Sequence, residues 1–167
     1  IANEDKYFVT SQSRHRLVGV YGEFRADWKN TIFATVTGRN DWSSTLPKAN
    51  RSFFYPSVSG AIVFSQFLQD RELIDDSFLS FGKLRVSWAK VGKDAGAYVT
   101  NTYLGSAATF LNDITGYGTS WERGNPILEP EMTESTEIGL ELRFFKNRLK
   151  VDYAYYTNNS LNQIISP

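Results

Sequence analysis

TESTEIGLELRFFKNRLKVDYAYYT, residues 133–157, decides the fold. Taken in steps of two, Ile138, Leu140, Leu142 and Phe144 point one way, while Glu137, Gly139, Glu141 and Arg143 point the other. After Lys146, Asn147 and Arg148 the pattern restarts, with Leu149, Val151, Tyr153 and Tyr155 on one face and Lys150, Asp152, Ala154 and Tyr156 on the opposite one. Side chains alternate across a strand, so this is a β-hairpin with one apolar and one polar face. A helical stripe through Ile138, Leu142 and Phe145 competes for the first half. Gly139 disfavours it, and the β-branched and aromatic second half does not continue it. Such a hairpin either packs its apolar face on a second sheet, as in a soluble sandwich, or turns it to lipid, as in a membrane barrel whose charged face lines a wet lumen.

The same alternation recurs upstream. Strands are predicted over about 14–28, 31–41, 53–65 and 81–91, followed by 133–146 and 149–157. Val18, Val20, Phe24, Ala26 and Trp28 share a face in the first; Ile32, Ala34 and Val36 point outward in the second, where Phe33 interrupts the polar side. Pro56, Val58, Gly60, Ile62 and Phe64 share a face in the third, and Leu84, Val86 and Trp88 in the fourth. A helical turn fits 66–80. Residues 92–132 show no sustained period and read as a long loop, of the kind that usually carries function.

Alternate connections differ in length. Lys29 and Asn30, the 66–80 link and residues 146–148 are short or moderate, whereas 42–52, 92–132 and the tail are longer. Up-and-down strands place alternate connections at the same end, giving the layout of an outer-membrane barrel: short periplasmic turns and long extracellular loops. Six strands fall short of the roughly eight with which single-chain barrels begin. An open sheet in lipid leaves backbone groups unpaired at its edges. The reading is therefore an all-β, antiparallel, up-and-down transmembrane β-barrel segment belonging to a larger barrel.

Composition agrees with this. The 167 residues carry 18 Lys and Arg against 18 Asp and Glu, so no basic field draws the chain to nucleic acid. The mean hydropathy of −0.35 suits a barrel as well as a soluble protein, because only alternate residues touch lipid. No apolar run approaches the roughly 20 residues of a membrane helix. Cysteine is absent and His15 is the only histidine, which excludes a disulfide framework, a thiolate or multi-histidine metal site and a serine or cysteine triad. No cofactor is expected. IANEDKYF is not a signal peptide: either the protein is not exported or the chain starts inside a longer one.

Several words of sequence then appear in a recognisable order. TGRNDWSSTLP (37–47) with FFYPSVS (53–59), and FGKLRVSWAKVGKD (81–94), resemble the SusC/RagA family of TonB-dependent outer-membrane transporters of Bacteroidetes. GNPILEPE (124–131) followed by STEIGLELRFFKNRLKVDYAYY (135–156) resembles the Asn-Pro-x-Leu-x-Pro-Glu loop and hairpin found widely in such barrels. The match runs from about Arg14 to Ile165 and is weakest at 66–80 and 95–120. It implies that residues 1–167 are part of the later wall of a barrel of about 22 strands. It also implies an N-terminal plug and TonB box outside this chain, a SusD-like surface lipoprotein as partner, and TonB-driven import of glycans or peptides across the outer membrane.

The candidate contact residues lie at the long-loop end. Arg39, Asp41 and Trp42 stand where the second strand meets a loop; they offer substrate contact at an outer vestibule, but better suit a loop anchor with Arg39 and Asp41 paired and Trp42 in an interfacial girdle. Tyr103, Tyr117, Trp121 and Arg123 lie in the long loop. Aromatics with an arginine stack on sugars, hold peptides or, the favoured of the three, meet a lipoprotein partner; a loop packed on itself explains them about as well. Glu137 and Glu141 invite a glycosidase reading, but a lumen wall also needs charges of both signs, and no enzyme activity is expected. Trp28, Phe64 and Phe144 read as girdle residues of the short-turn end, Phe54 and Tyr155 as those of the long-loop end. The alternative to the transporter is a soluble carbohydrate-binding β-sandwich.

Overall fold

The computed structural model describes residues 12–75, 77–110, 114–119 and 123–165. Six long strands form one antiparallel sheet: β1 (Leu17–Trp28), β2 (Ile32–Ser43), β3 (Ser52–Ile62), β4 (Leu79–Lys93), β7 (Glu131–Phe144) and β8 (Leu149–Leu161), in the order β1-β2-β3-β4-β7-β8. Each strand pairs with the one before it in the sheet, the meander that strand alternation and short turns dictate. A seven-residue helix, α1 (Phe64–Asp70), lies in the β3–β4 link where a helical turn was expected. No helix among the described residues is long and apolar enough to cross a membrane.

Residues 92–132 are not all loop. They contain a second hairpin, β5 (Leu104–Phe110) and β6 (Ile114–Thr119), whose strands pair only with each other. Its sequences, LGSAATF and ITGYGT, are built of small residues and threonines without apolar alternation. A hairpin that shares no sheet with other strands has no need of two-fold patterning, so periodicity had no signal to report there.

Register turns the sequence pattern into two continuous faces. One row reads Phe24, Val36, Val58, Trp88, Thr136 and Thr157 across the six strands; the next reads Ala26, Ala34, Gly60, Val86, Ile138 and Tyr155; the next Trp28, Ile32, Ile62, Leu84, Leu140 and Tyr153. On β1 the apolar set runs from Val18 to Trp28. That is about 33 Å of strand, or about 25 Å along the normal of a membrane at a tilt near 40°. Among the described residues no second layer covers it: Tyr153 is 63% exposed, Ile138 47% and Val151 44%. A β-sandwich requires that face buried, so the soluble-module alternative does not describe this sheet. Tyr155, expected near a strand end, sits midway along β8 opposite Ile138, because β8 runs four residues further than alternation suggested.

The opposite face carries a ladder of charges. Arg85 reaches Glu137 at 3.4 Å and Asp152 at 3.3 Å, while Glu141 accepts from Arg143 at 2.8 Å and from Lys150 at 3.2 Å. Gly139 makes this possible: a Cβ there would lie 2.2 Å from Arg85 Nε, so the guanidinium crosses the strand where a side chain is missing. Glu137 and Glu141 are four residues apart on one strand, about 13 Å, beyond the separation of either glycosidase geometry. Each is already paired to a cation.

The short-turn end is closed by backbone geometry. Thr31 N–H donates to Trp28 O at 2.9 Å across Lys29 and Asn30, both with positive φ, within the three-residue link 29–31 whose twist suits the strands. Phe145, Lys146 and Asn147 turn β7 into β8, again at positive φ. The buried apolar residues lie mostly at the other end, where Leu46, Phe53 and Ala95 pack with Tyr55, Leu128 and Ile164.

Candidate functional site at the long-loop rim

Two polar nodes and one clamped loop organise this rim. The first node is on the polar face of β2 and β3. Arg39 Nε donates to Asp41 Oδ1 at 2.8 Å, and Tyr55 Oη donates to Asp41 Oδ2 at 2.5 Å. The Arg39 guanidinium lies 5.9 Å from the Tyr55 ring centroid. Alternation fixes this trio: residues 39, 41 and 55 share a face, and register places Arg39 beside Tyr55. Asp41 is 3% exposed, and the facing β1 residue is Gly19, where a Cβ would lie 2.3 Å from Asp41 Oδ1. Arg39 keeps its outer edge in solvent.

The second node centres on Asp94, just past β4. Its Oδ2 meets His15 Nε2 at 2.6 Å, Ser43 Oγ at 2.6 Å and Thr45 Oγ1 at 3.3 Å. Ser43 and Thr45 are buried, and their hydroxyls lie 2.8 Å apart. Burial raises the Asp94 pKa, but the hydrogen bonds from Ser43 and His15, the His15 charge and the Thr45 hydroxyl outweigh it, so the carboxyl sits below its ordinary range. Although serine, histidine and aspartate meet here, the carboxylate stands between the other two. Ser43 therefore donates to a weakly basic carboxylate rather than to the imidazole, the wrong order for a nucleophile. What the node does is tie the segment before β1, the β2–β3 loop and the end of β4 into one unit. Backbone bonds reinforce it: Ser44 N–H to Arg16 O, and Ser43 N–H to Arg51 O, each 2.9 Å.

The clamped loop is 124–131. Asn125 Oδ1 accepts from Ile127 N–H at 3.0 Å, an Asx turn that Pro126 pre-sets. Asn50 Nδ2 donates to Ile127 O and Leu128 O at 3.2 Å each, Asn162 Nδ2 to Glu129 Oε2 at 2.8 Å, and Ile164 N–H to Glu131 Oε1 at 2.8 Å. Loops after β2, before β7 and after β8 thus share one rim.

Of the residues singled out from sequence, Arg39 and Asp41 come together. Trp42 does not join them: it falls on the apolar face, paired with Val18 and Ser52, 40% exposed. Tyr103 is exposed just before β5 and Tyr117 on β6, and Arg123 is exposed beside the base of the hairpin, where Gly124 N–H donates to Thr102 Oγ1 at 3.0 Å. Trp121 lies outside the described residues. Sequence reasoning missed Tyr55, Asn50 and the Asp94 node. The available signal was that the word 37–47 carries Ser43 and Thr45 past its alternating segment and that 81–94 closes on Asp94; only folding shows that these residues touch.

Comparison with known proteins fits this geometry. The family model described as "TonB dependent receptor-like, beta-barrel" matches residues 2–167. TonB-dependent receptor P26 of Formosa agariphila is 33% identical over 177 aligned positions, covering 100% of this chain and 17% of the relative. TonB-dependent receptor SusC of Bacteroides thetaiotaomicron is 30% identical, covering 93% of this chain and 16% of the relative. Among solved structures, the RagAB peptide transporter superposes with a TM-score of 0.75 at 24% identity, over 87% of this chain and 16% of that one, which supports the fold. The chain thus spans about a sixth of the length of the proteins it matches.

Proposed function

The chain belongs to the TonB-dependent receptor β-barrel family, and on that premise we propose that it supplies six consecutive wall strands and a share of the outer rim of a transporter that imports glycans or peptides. Such a barrel resides in the bacterial outer membrane, its apolar face toward lipid and its charged face toward the lumen. In this reading a SusD-like lipoprotein closes over the rim, the ligand is captured beneath it, and TonB pulls on a plug carried by the rest of the protein. One observation carries the proposal: a single apolar face runs across six strands, touched among the described residues only by α1 at its short-turn end, and backs a face of paired charges.

This segment contributes wall and rim, without a hydrolytic role; the order of groups at Asp94 and the spacing of Glu137 and Glu141 both support that. Arg39, with Tyr55 beneath it, faces the lumen side of the rim and serves as a ligand contact. Tyr103, Tyr117 and Arg123 on and beside the β5–β6 hairpin serve as contacts to the lipoprotein.

The test uses the full-length transporter of which this chain is a part. Residues 104–119 are replaced by a short Gly-Ser link, and Arg39→Ala is made separately. Lipoprotein co-purification and uptake of labelled oligosaccharides and peptides are measured. Loss of the hairpin is expected to weaken lipoprotein capture with the barrel still assembled, and R39A to lower uptake about tenfold at unchanged capture, a loss near 1.4 kcal/mol. Unchanged capture and uptake in both variants would sink the assigned rim roles.

A further inference from the structure

At the short-turn end α1 does not lie under the barrel mouth or inside it. The Phe64 ring covers Gly82, so closely that a Cβ on Gly82 would lie 2.5 Å from the ring. Gly82 pairs with Leu142, between Leu84 and the start of β4, and so belongs to the apolar face. The helix therefore leans on the outside of the wall. Gln69 Nε2 donates to Leu79 O at 3.0 Å, Thr31 Oγ1 donates to Gln66 Oε1 at 3.0 Å, and Leu79, on the same face, is only 6% exposed. These contacts fix α1 to the β1–β2 turn and to β4.

The helix and its link nonetheless expose large apolar groups. Phe67 is 37% exposed, Leu73 65% and Phe78 57%. Phe78 stands edge-on to Phe144 at 5.6 Å and to Phe145 at 5.9 Å, which carries the aromatic surface across to β7. Trp28, with Lys29 Nζ 4.9 Å from its ring centroid, continues it at the β1–β2 turn. The surrounding charges are mixed and nearly cancel: four cations, Lys29, Arg71, Lys146 and Arg148, stand against three anions, Asp70, Glu72 and Asp75, among the described residues. A charged partner is therefore not selected, whereas an apolar-to-polar boundary is.

We infer that α1 and its link form an amphipathic anchor lying in the headgroup layer of the inner leaflet, with Phe67 and Phe78 seated against phospholipid acyl chains. The anchor continues the lipid-facing surface of the sheet beyond its last strand residue, and the ring of Phe64 seals the seam. It rests on the barrel reading. Its physical logic is that of an interfacial helix: apolar side chains enter the boundary region while the charged ones beside them stay hydrated.

Spin labels on the full-length transporter in phosphatidylethanolamine–phosphatidylglycerol vesicles test this. F67C carries the probe. F78C, on the link, decides in its place if F67C does not assemble. V151C reports the mid-strand lipid face and T119C the aqueous rim. Relaxation by dissolved oxygen is compared with relaxation by a water-soluble nickel chelate. Oxygen is expected to dominate at F67C as it does at V151C, with nickel dominating at T119C. Nickel dominance at F67C beside oxygen dominance at V151C overturns the anchor and leaves the barrel standing. Nickel dominance at V151C overturns the barrel reading itself.

Discussion

The two ends of this sheet are held by different physics. At the long-loop rim, one half-buried and one buried carboxylate collect hydrogen bonds from residues far apart in sequence: Asp94 joins residue 15 to residues 43 and 45, and Asp41 joins Arg39 to Tyr55. At the short-turn end, two tight turns with positive φ and a cluster of phenylalanines suffice. Polar side-chain tethers position long loops while leaving their tips free to vary. Tight turns and aromatic surface instead fix where a strand stops against a membrane boundary. One end is built to present, the other to seat.

The contrast can be broken first at the lipid-facing middle, on which both ends depend. Val86→Arg places a cation between Gly60 and Ile138 on the apolar face. It is expected to cost about 2–4 kcal/mol of folding stability in vesicles, whereas Ser87→Arg, one residue away on the lumen face, is expected to cost far less. Urea-driven unfolding of the two variants in the full-length protein reads the difference; equal costs would remove the two-faced wall.

The rim comes next. Asp94→Ala leaves Ser43 and Thr45 hydroxyls buried without their acceptor, at about 1–3 kcal/mol. The loss is local, so hydrogen exchange should rise at residues 43–51 with little change at 29–31 or 145–148. The same node predicts a pH response. Its carboxyl is held below the ordinary range in the folded rim, so the stabilisation is complete above the unfolded value near 4 and disappears as pH falls through the lower folded value. Protection from hydrogen exchange at 43–51, taken relative to the intrinsic rate at each pH, should therefore fall below about pH 4 in the parent protein and lose that response in Asp94→Asn. A flat parent profile would remove the carboxylate from the tether.

The smallest effect belongs to the seated end. Asn30 has φ of 51°, where glycine is unstrained. Asn30→Gly relieves the left-handed conformation but gives the unfolded chain more freedom, so the net change is expected to stay within about 0.5 kcal/mol. Thermal unfolding of the assembled barrel measures it. A loss well beyond that would show that the turn depends on the Asn30 side chain rather than on backbone twist.

Six strands, their faces and the difference between the two ends were legible because each is written locally. Alternation has a period of two residues, and a short turn announces itself within three or four. The words 37–47, 81–94 and 124–131 pointed to the family for the same reason: each is contiguous. The β5–β6 hairpin was illegible, since strands that pair only with each other need carry no alternation. Gly139 read only as a poor helix residue; its role as the gap crossed by Arg85 needs the neighbouring strand.

By itself, then, the chain's order of residues determined an amphipathic meander with unequal ends, because pleat and turn geometry act between near neighbours. Tertiary structure alone decided which rim residues share a carboxylate, that Trp42 turns away from Arg39 and Asp41, and that α1 leans on the outer wall. Those outcomes depend on register and on contacts between segments separated by as many as 79 positions, and no local pattern encodes a distance across a sheet.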